Sequence, residues 1–413
     1  MAVRAVTAQH GDFRFSYSDG VQTLDPGDPA AVADEVATRF EQLHGRPPEG
    51  VFAAPGRVNL IGEHVDYNGG LCLPMALPHA TYAAVGRRDD DTVTVTSSQQ
   101  EEPFRGVLDR LGPGETTGWA TYSAGVVWAL QQSGWTVPGM DVVVDSRVPL
   151  GAGLSSSAAI ECAVALGIAG LVDEPDGDEL RTSLVRACMR AEAEVAGAPT
   201  GGMDQTVALF ARADAALLLD CRDWSTEQVR WDPAAAGLAL LVVDTRASHA
   251  LSDGGYEERR RDCEAAAEQL GVKILRDVTD PDRALAALTE ERLRHRARHV
   301  FTEIARVEEA VSLIRADDFE GLGSAMTASH ASLRDDFEVS CPELDVVVEV
   351  SLTHDALGAR MTGGGFGGSA IALLPATEVS RVGGSIEAAY RARGWRPPGF
   401  LTAVPSSGAR RVR

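Results

Sequence analysis

Gly151-Ala152-Gly153-Leu154-Ser155-Ser156-Ser157 follows Val148-Pro149-Leu150 and runs straight into Ala158-Ala159-Ile160. Upstream, Met140-Asp141-Val142-Val143-Val144-Asp145 has the β-branched density of a strand, and residues 158–172 downstream read as an apolar helix. A strand, a glycine turn and a helix in that order present free backbone N–H groups and the positive end of a helix dipole to an anion. That is how a phosphate is held. No lysine follows the glycines, so the loop is not a Walker A motif. Three hydroxyls stand there instead, where serine can cap the helix, bind a phosphate oxygen or ligate Mg²⁺. An ordinary Ser-capped buried helix fits the same residues.

Composition narrows the setting. A chain of 413 residues, 44% of them hydrophobic, has material for about two cores. Six cysteines are scattered with no CxxC pair, the pattern of reduced thiols in a cytoplasmic protein. Residues 1–20 show no basic-then-apolar leader pattern. The most apolar stretch, 158–172, is too short for a membrane span and carries Glu161. It reads as a core helix. A net charge of −22 argues against nucleic acid, because no basic field exists to displace phosphate counterions. A nucleotide would have to be held by local amides, Mg²⁺ and a few arginines. One lysine, Lys273, stands against 37 arginines, which rules out any catalytic lysine in the first half. Nothing in the sequence signals an obligate protein partner.

Strands are expected over 82–85, 92–96, 140–145, 215–220, 238–244 and 369–374, and helices over 29–44, 121–132, 158–172, 180–196, 256–269, 302–316 and 318–333. Asp25-Pro26-Gly27-Asp28-Pro29 punctuates one helix start and Gly197 one helix end. Strands and helices mixed without a regular βαβα alternation give an α+β class.

Three more segments carry chemistry. Ala54-Pro55-Gly56-Arg57-Val58-Asn59-Leu60-Ile61-Gly62-Glu63-His64-Val65-Asp66-Tyr67-Asn68-Gly69-Gly70 sets a polar cluster between apolar flanks. A sugar needs such a cluster, since each ring hydroxyl both donates and accepts and a carboxylate fixes its direction. A polar hairpin turned at Asn68-Gly69 would look the same. Pro199-Thr200-Gly201-Gly202-Met203-Asp204-Gln205 places a carboxylate after glycines that let a ligand approach closely. An Asp there can accept the proton of an attacking hydroxyl, or it can simply cap a helix. Arg57 is its natural partner, since a fixed guanidinium favours the charged carboxylate and can stabilise a phosphoryl group in transfer. The third segment is Arg360-Met361-Thr362-Gly363-Gly364-Gly365-Phe366-Gly367-Gly368, which alone could be only a flexible hairpin.

In this order and spacing the four segments resemble the galactokinases of the GHMP small-molecule kinase superfamily, from about residue 10 to the Pro405-Ser406-Ser407-Gly408-Ala409 ending. The resemblance implies a two-domain GHMP fold. It has a mixed N-terminal domain over 1–205 and a ferredoxin-like C-terminal domain over 206–413, with the active site between them. It implies sugar contacts at Glu63, His64 and Asp66, with Gly201 and Tyr256 beside the sugar. Asp204 becomes the catalytic base and Arg57 the arginine that stabilises charge. Ser157 and Glu192 become Mg²⁺ ligands, and Gly151, Ala152, Gly153, Leu154, Ser155, Ser156 and Ser157 the ATP loop. Ser97 and Trp119 are candidates for the adenine or ribose, since an indole face can stack on a purine. The family's usual Thr after the His is Val65 here. The implied reaction is ATP-dependent phosphorylation of the C1 hydroxyl of α-D-galactose, the entry to the Leloir route. A kinase for N-acetylgalactosamine or L-arabinose is the near alternative. A non-catalytic galactose sensor is the distant one, since sensors of that kind carry a shortened serine loop.

Overall fold

Two six-stranded sheets and a three-stranded one organise the described residues. The computed structural model describes residues 15–18, 21–198, 200–248 and 252–413. Pro199 and the expected start of the likeness near residue 10 lie outside them, as does most of the stretch read for a leader.

The first sheet runs Arg410–Arg411, Gly50–Asn59, Pro74–Arg87, Met140–Ser146, Thr92–Ser97, Phe104–Val107 in spatial order. Its strands alternate between two buried faces, as the pleat requires. Ala83, Val85, Val142 and Val144 pack under the helices Thr121–Gln132, Ser156–Leu171 and Asp178–Arg190. Tyr82, Ala84 and Val143 pack under the helix Pro29–His44. That helix begins and ends where the sequence reading puts it. Asp28 accepts from the Ala31 N–H at 2.9 Å, Pro29 starts the helix, and Gly45 ends it at φ 70°.

The second sheet runs Phe15–Ser18, Val21–Leu24, Gly399–Ala403, Leu238–Ser248, Gly367–Pro375, Gly358–Thr362. Leu238–Ser248, the helices from Glu291–Arg315 to Pro342–Thr353, Gly358–Thr362, Gly367–Pro375, the helix Val379–Ala392 and Gly399–Ala403 follow one another as βαββαβ. The four strands are antiparallel in the order fourth, first, third, second. This is the expected ferredoxin-like arrangement. One face of this sheet, Leu240, Val242, Ile371 and Leu373, packs on Val58, Leu60, Leu73, Val148 and Leu154 of the first half. The two halves therefore share an apolar core, each such side chain contributing about 1.5–3 kcal/mol on full burial.

The chain crosses between the halves at both ends. Val21–Leu24 adds beside Gly399–Ala403, and Arg410–Arg411 pairs with Gly50–Asn59. Arg413 then reaches Asp34 at 2.7 Å, so the basic tail serves as an edge strand. Among the described residues no helix is long and apolar enough to cross a membrane. All six cysteines are free and buried.

Candidate active site

The strand Gly50–Asn59 carries Pro55-Gly56 in its middle, where a regular ladder would break. Its register with Pro74–Arg87 slips between Pro55 and Arg57, the bulge a strand proline needs. The bulge brings backbone against backbone. A Cβ on Gly56 would stand 2.6 Å from the Leu154 carbonyl oxygen, and the Arg57 N–H donates to that oxygen at 3.1 Å. Arg57 is thereby aimed across the serine loop. Its Nη1 donates to Gly153 O at 2.7 Å, while Nε and Nη2 hold Asp204 Oδ1 and Oδ2 at 2.9 and 3.0 Å. The pair is bidentate, and Arg57 is 5% exposed.

Ser155 does not cap the helix that follows it. It sits at φ 59° and makes no side-chain cap bond. Its Oγ donates instead to Asp204 Oδ2 at 2.6 Å. A left-handed non-glycine residue costs on the order of 1–3 kcal/mol and persists where the surroundings hold it. Here they aim its hydroxyl at a carboxylate. Asp204 lies inside the first turn of the helix Met203–Phe210, with left-handed Gly202 as its N-cap.

The segment after Asn59 forms the opposite wall. Glu63 Oε1 accepts from the Gly363 N–H at 2.7 Å and Thr362 Oγ1 at 3.1 Å, and Oε2 accepts from Asn59 Nδ2 at 2.7 Å. Arg360, wholly buried, ion-pairs with Oε2 at 2.8 Å. Burial pushes Glu63 above the usual carboxylate range, against the pull of Arg360. His64 is also engaged within the protein. Its Nε2–H donates to Gly364 O at 3.0 Å, which leaves Nδ1 to accept from the Tyr67 hydroxyl at 3.0 Å. Burial, and then the neighbouring His299, lower its pKa to about 3, so the ring is neutral. Glu63 and His64 thus line the site with their polar atoms tied to the glycine loop. Asp66 is raised to about 6, first by burial and then by the Asp204 charge. It lies so close to Gly201 that a Cβ there would stand 1.9 Å from Oδ2. Tyr256 stacks obliquely on His64, ring centres 5.3 Å apart.

The glycine loop joins both walls. Gly363 and Gly364 hold Glu63 and His64, and a Cβ on Gly363 would meet Gly153 O at 2.8 Å. Ser369 Oγ donates to Ala152 O at 2.7 Å and braces the serine loop from behind.

Glu192 comes from a π-turn, Ala191–Val195, that ends the expected helix as a wider coil. Such turns recur at functional sites. Burial, then Asp204, push its carboxylate up to about 7, against the opposing pull of nearby Ser157. Among the described residues no group of three His, Cys, Asp or Glu could hold a metal ion by itself. One hydroxyl and one carboxylate fit a Mg²⁺ that takes its other ligands from nucleotide phosphates and water.

A cavity of about 170 Å³ lies between the walls, lined by residues including Arg57, Asp66, Glu192, Asp204, Tyr256 and Gly364. Ser97 and Trp119 are not among its lining residues. Ser97 Oγ donates to Gln99 Oε1 at 3.2 Å, and Trp119 packs on the first core. Arg360, Asn59, Gln205 and Glu161 escaped the sequence reading. Glu161 offered one signal, a charge inside an apolar helix; the others look like ordinary polar residues until the halves are brought together.

Residues 38–87 match a family model described as the galactokinase galactose-binding signature. Residues 121–212 match the GHMP kinases N terminal domain, and 310–392 the GHMP kinases C terminal. A galactokinase of Streptomyces coelicolor is 50% identical over 387 residues, covering 92% of this chain and 99% of its own. One from Mycobacterium tuberculosis is 42% identical over 88% of this chain and 99% of its own. The crystal structure of Lactococcus lactis galactokinase complexed with galactose superposes with a TM-score of 0.86 at 29% identity, over 92% of this chain and 99% of that one. Methanococcus jannaschii mevalonate kinase, at 15% identity and a TM-score of 0.61 over 86% of this chain and 98% of its own, shares the fold alone. Identity of this order over nearly the full length of both chains, on a matching backbone, places the chain in the galactokinase family.

Proposed function

We propose that this chain transfers the γ-phosphoryl group of ATP to the C1 hydroxyl of α-D-galactose, releasing galactose 1-phosphate and ADP. The observation that carries the reading is the Arg57–Asp204–Ser155 cluster, set where the serine loop meets the sugar segment. A carboxylate offers about four lone-pair positions. Three protein donors fix Asp204 and leave room for one more, from the sugar. Asp204 takes the C1 hydroxyl proton as the C1 oxygen bonds to phosphorus and the bond from phosphorus to the ADP oxygen breaks. Arg57, already held by Gly153 O and Asp204, stabilises charge on the phosphoryl group in flight without reorganising. The amides of residues 151–157 and the start of the helix Ser156–Leu171 hold the phosphates. Asp66 accepts from ring hydroxyls, with Gly201 leaving the space it occupies. Glu63 and His64 shape the sugar wall together with the glycine loop. Ser157 and Glu192 would hold Mg²⁺, which supplies charge neutralisation on the phosphates when bound.

The test is Asp204→Asn, which keeps the shape and removes proton acceptance. Turnover measured by ADP release is expected to fall by about 10²–10⁴. Galactose Kd by calorimetry should stay within a few-fold. A variant keeping more than about half the turnover removes Asp204 from the base role.

A further inference from the structure

We propose that Gln205 is the positioning residue of the cation site, holding Glu192 by one oxygen so that the other is left to face Ser157 and a divalent cation. This rests on the reading of Ser157 and Glu192 as ligands. Gln205 is fully buried, directly after Asp204 on the helix Met203–Phe210. Its amide nitrogen carries two hydrogens, and both are spent on carboxylates. One goes to Glu192 Oε2 at 2.5 Å and the other to Glu161 Oε2 at 3.1 Å. Two acceptors on one side decide which end of the amide is nitrogen. The amide oxygen faces Thr200 Oγ1 at 3.5 Å.

The surroundings show why the clamp is needed. Glu192 stands on the π-turn Ala191–Val195 rather than on a regular α-helix. Glu161 lies four residues after Ser157 in the helix Ser156–Leu171 and so on the same face. It is wholly buried, and its Oε1 has no protein partner. Without Gln205 two buried carboxylates would face each other with no donor between them. With it, Glu161 becomes a brace. The bond from Gln205 occupies Oε2 of Glu192 and leaves Oε1 for one-oxygen ligation. Because Asp204 and Gln205 are adjacent, one helical turn sets both the proposed base and the cation carboxylate. Hydrogen-bond partners of metal-ligating carboxylates act in this way, and losing one typically weakens metal affinity about 10–100-fold.

The experiment titrates Mn²⁺ against the full chain saturated with ADP, without galactose, reading free Mn²⁺ by electron paramagnetic resonance. Gln205→Met keeps the volume and removes the donor. Its Mn²⁺ Kd is expected to rise about 10–100-fold, with galactose Kd unchanged within about twofold. Glu192→Ala is titrated in parallel and should weaken Mn²⁺ at least as much. If Glu192→Ala weakens Mn²⁺ and Gln205→Met does not, the positioning role is overturned and the ligand reading stands. If Glu192→Ala binds Mn²⁺ like the parent, the ligand reading fails and the positioning role falls with it. Should Gln205→Met not fold, as judged by its thermal transition, Glu161→Ala decides. A loss of about threefold or more in Mn²⁺ affinity supports the brace, and an unchanged Kd overturns it.

Discussion

Burial and the neighbouring Asp204 charge push Asp66 up to about 6 from its ordinary 3.8, and the sign of that shift sets this residue's share of the pH response. The folded state favours the protonated carboxyl more than the unfolded chain does. Its contribution to stability is therefore complete below about pH 4 and is lost as pH rises through 6. At pH 8 the ionised Asp66 opposes folding by up to about 3 kcal/mol. Asp66→Asn removes that opposition. The variant should unfold at higher denaturant than the parent at pH 8, and the gain should vanish at pH 4. An equal gain at both pH values would mean that Asp66 titrates normally. At this scale the motifs singled out Arg57, Asp66 and Asp204, and the structure gathers all three around one cavity. The sequence was silent on Arg360 and Gln205, because the meaning of an arginine or glutamine lies in what burial places around it. Ser155 was readable as a helix cap or as part of a phosphate loop, not as a partner of Asp204. Its left-handed backbone, which turns the hydroxyl to Asp204, comes from packing between two loops.

At the scale of elements, the loops were easier to recognise than the strands that carry them. Gly50–Asn59 is the strand that aims Arg57, yet no strand is expected there from the sequence, with Pro55-Gly56 in its middle. Only the slip in register reconciles a proline with the ladder. The helix after Glu179 was legible from its amphipathic pattern, but the π-turn that ends it was not, because periodicity does not register one wider coil. Close approach is the other thing an element hides. Gly201 has no side chain because Asp66 occupies the space where its Cβ would be. Gly201→Ala should displace Asp66 by about an ångström or more and lower kcat/KM for galactose about 10²-fold. Kd for ATP should be little changed, since the serine loop is untouched. Steady-state kinetics with varied galactose, alongside calorimetry with ATP, would check this. A parent-like kcat/KM would show that Asp66 can move aside without cost.

At the scale of the molecule, the sugar segment is held from the opposite half of the chain. Arg360 donates to the carbonyls of Asn59 and Leu60 at 3.0 and 3.2 Å and pairs with Glu63. Glu303, also wholly buried, accepts from the Gly62 N–H at 3.0 Å, and the His299 ring donates to Glu63 O at 3.1 Å. Desolvation makes such a cluster costly to break from one side. Arg360→Met leaves Glu63 buried without its ion-pair partner, while Glu303 keeps Arg306, and should cost about 3–5 kcal/mol in urea unfolding. A loss under about 1 kcal/mol would mean the halves are joined by their apolar core alone. Fold class and the βαββαβ order were within reach of the sequence and its resemblance. The exchange of chain ends between the sheets was not, since it depends on two short strands with no periodicity to mark them. The cavity lined by both halves is where galactose is phosphorylated at C1. The direct measurement is ADP release across galactose, glucose, N-acetylgalactosamine and L-arabinose, with the product's phosphate position read by ³¹P nuclear magnetic resonance. The highest kcat/KM is expected for galactose, with the phosphate on C1. A higher value for another sugar, or a phosphate on any other carbon, would contradict it.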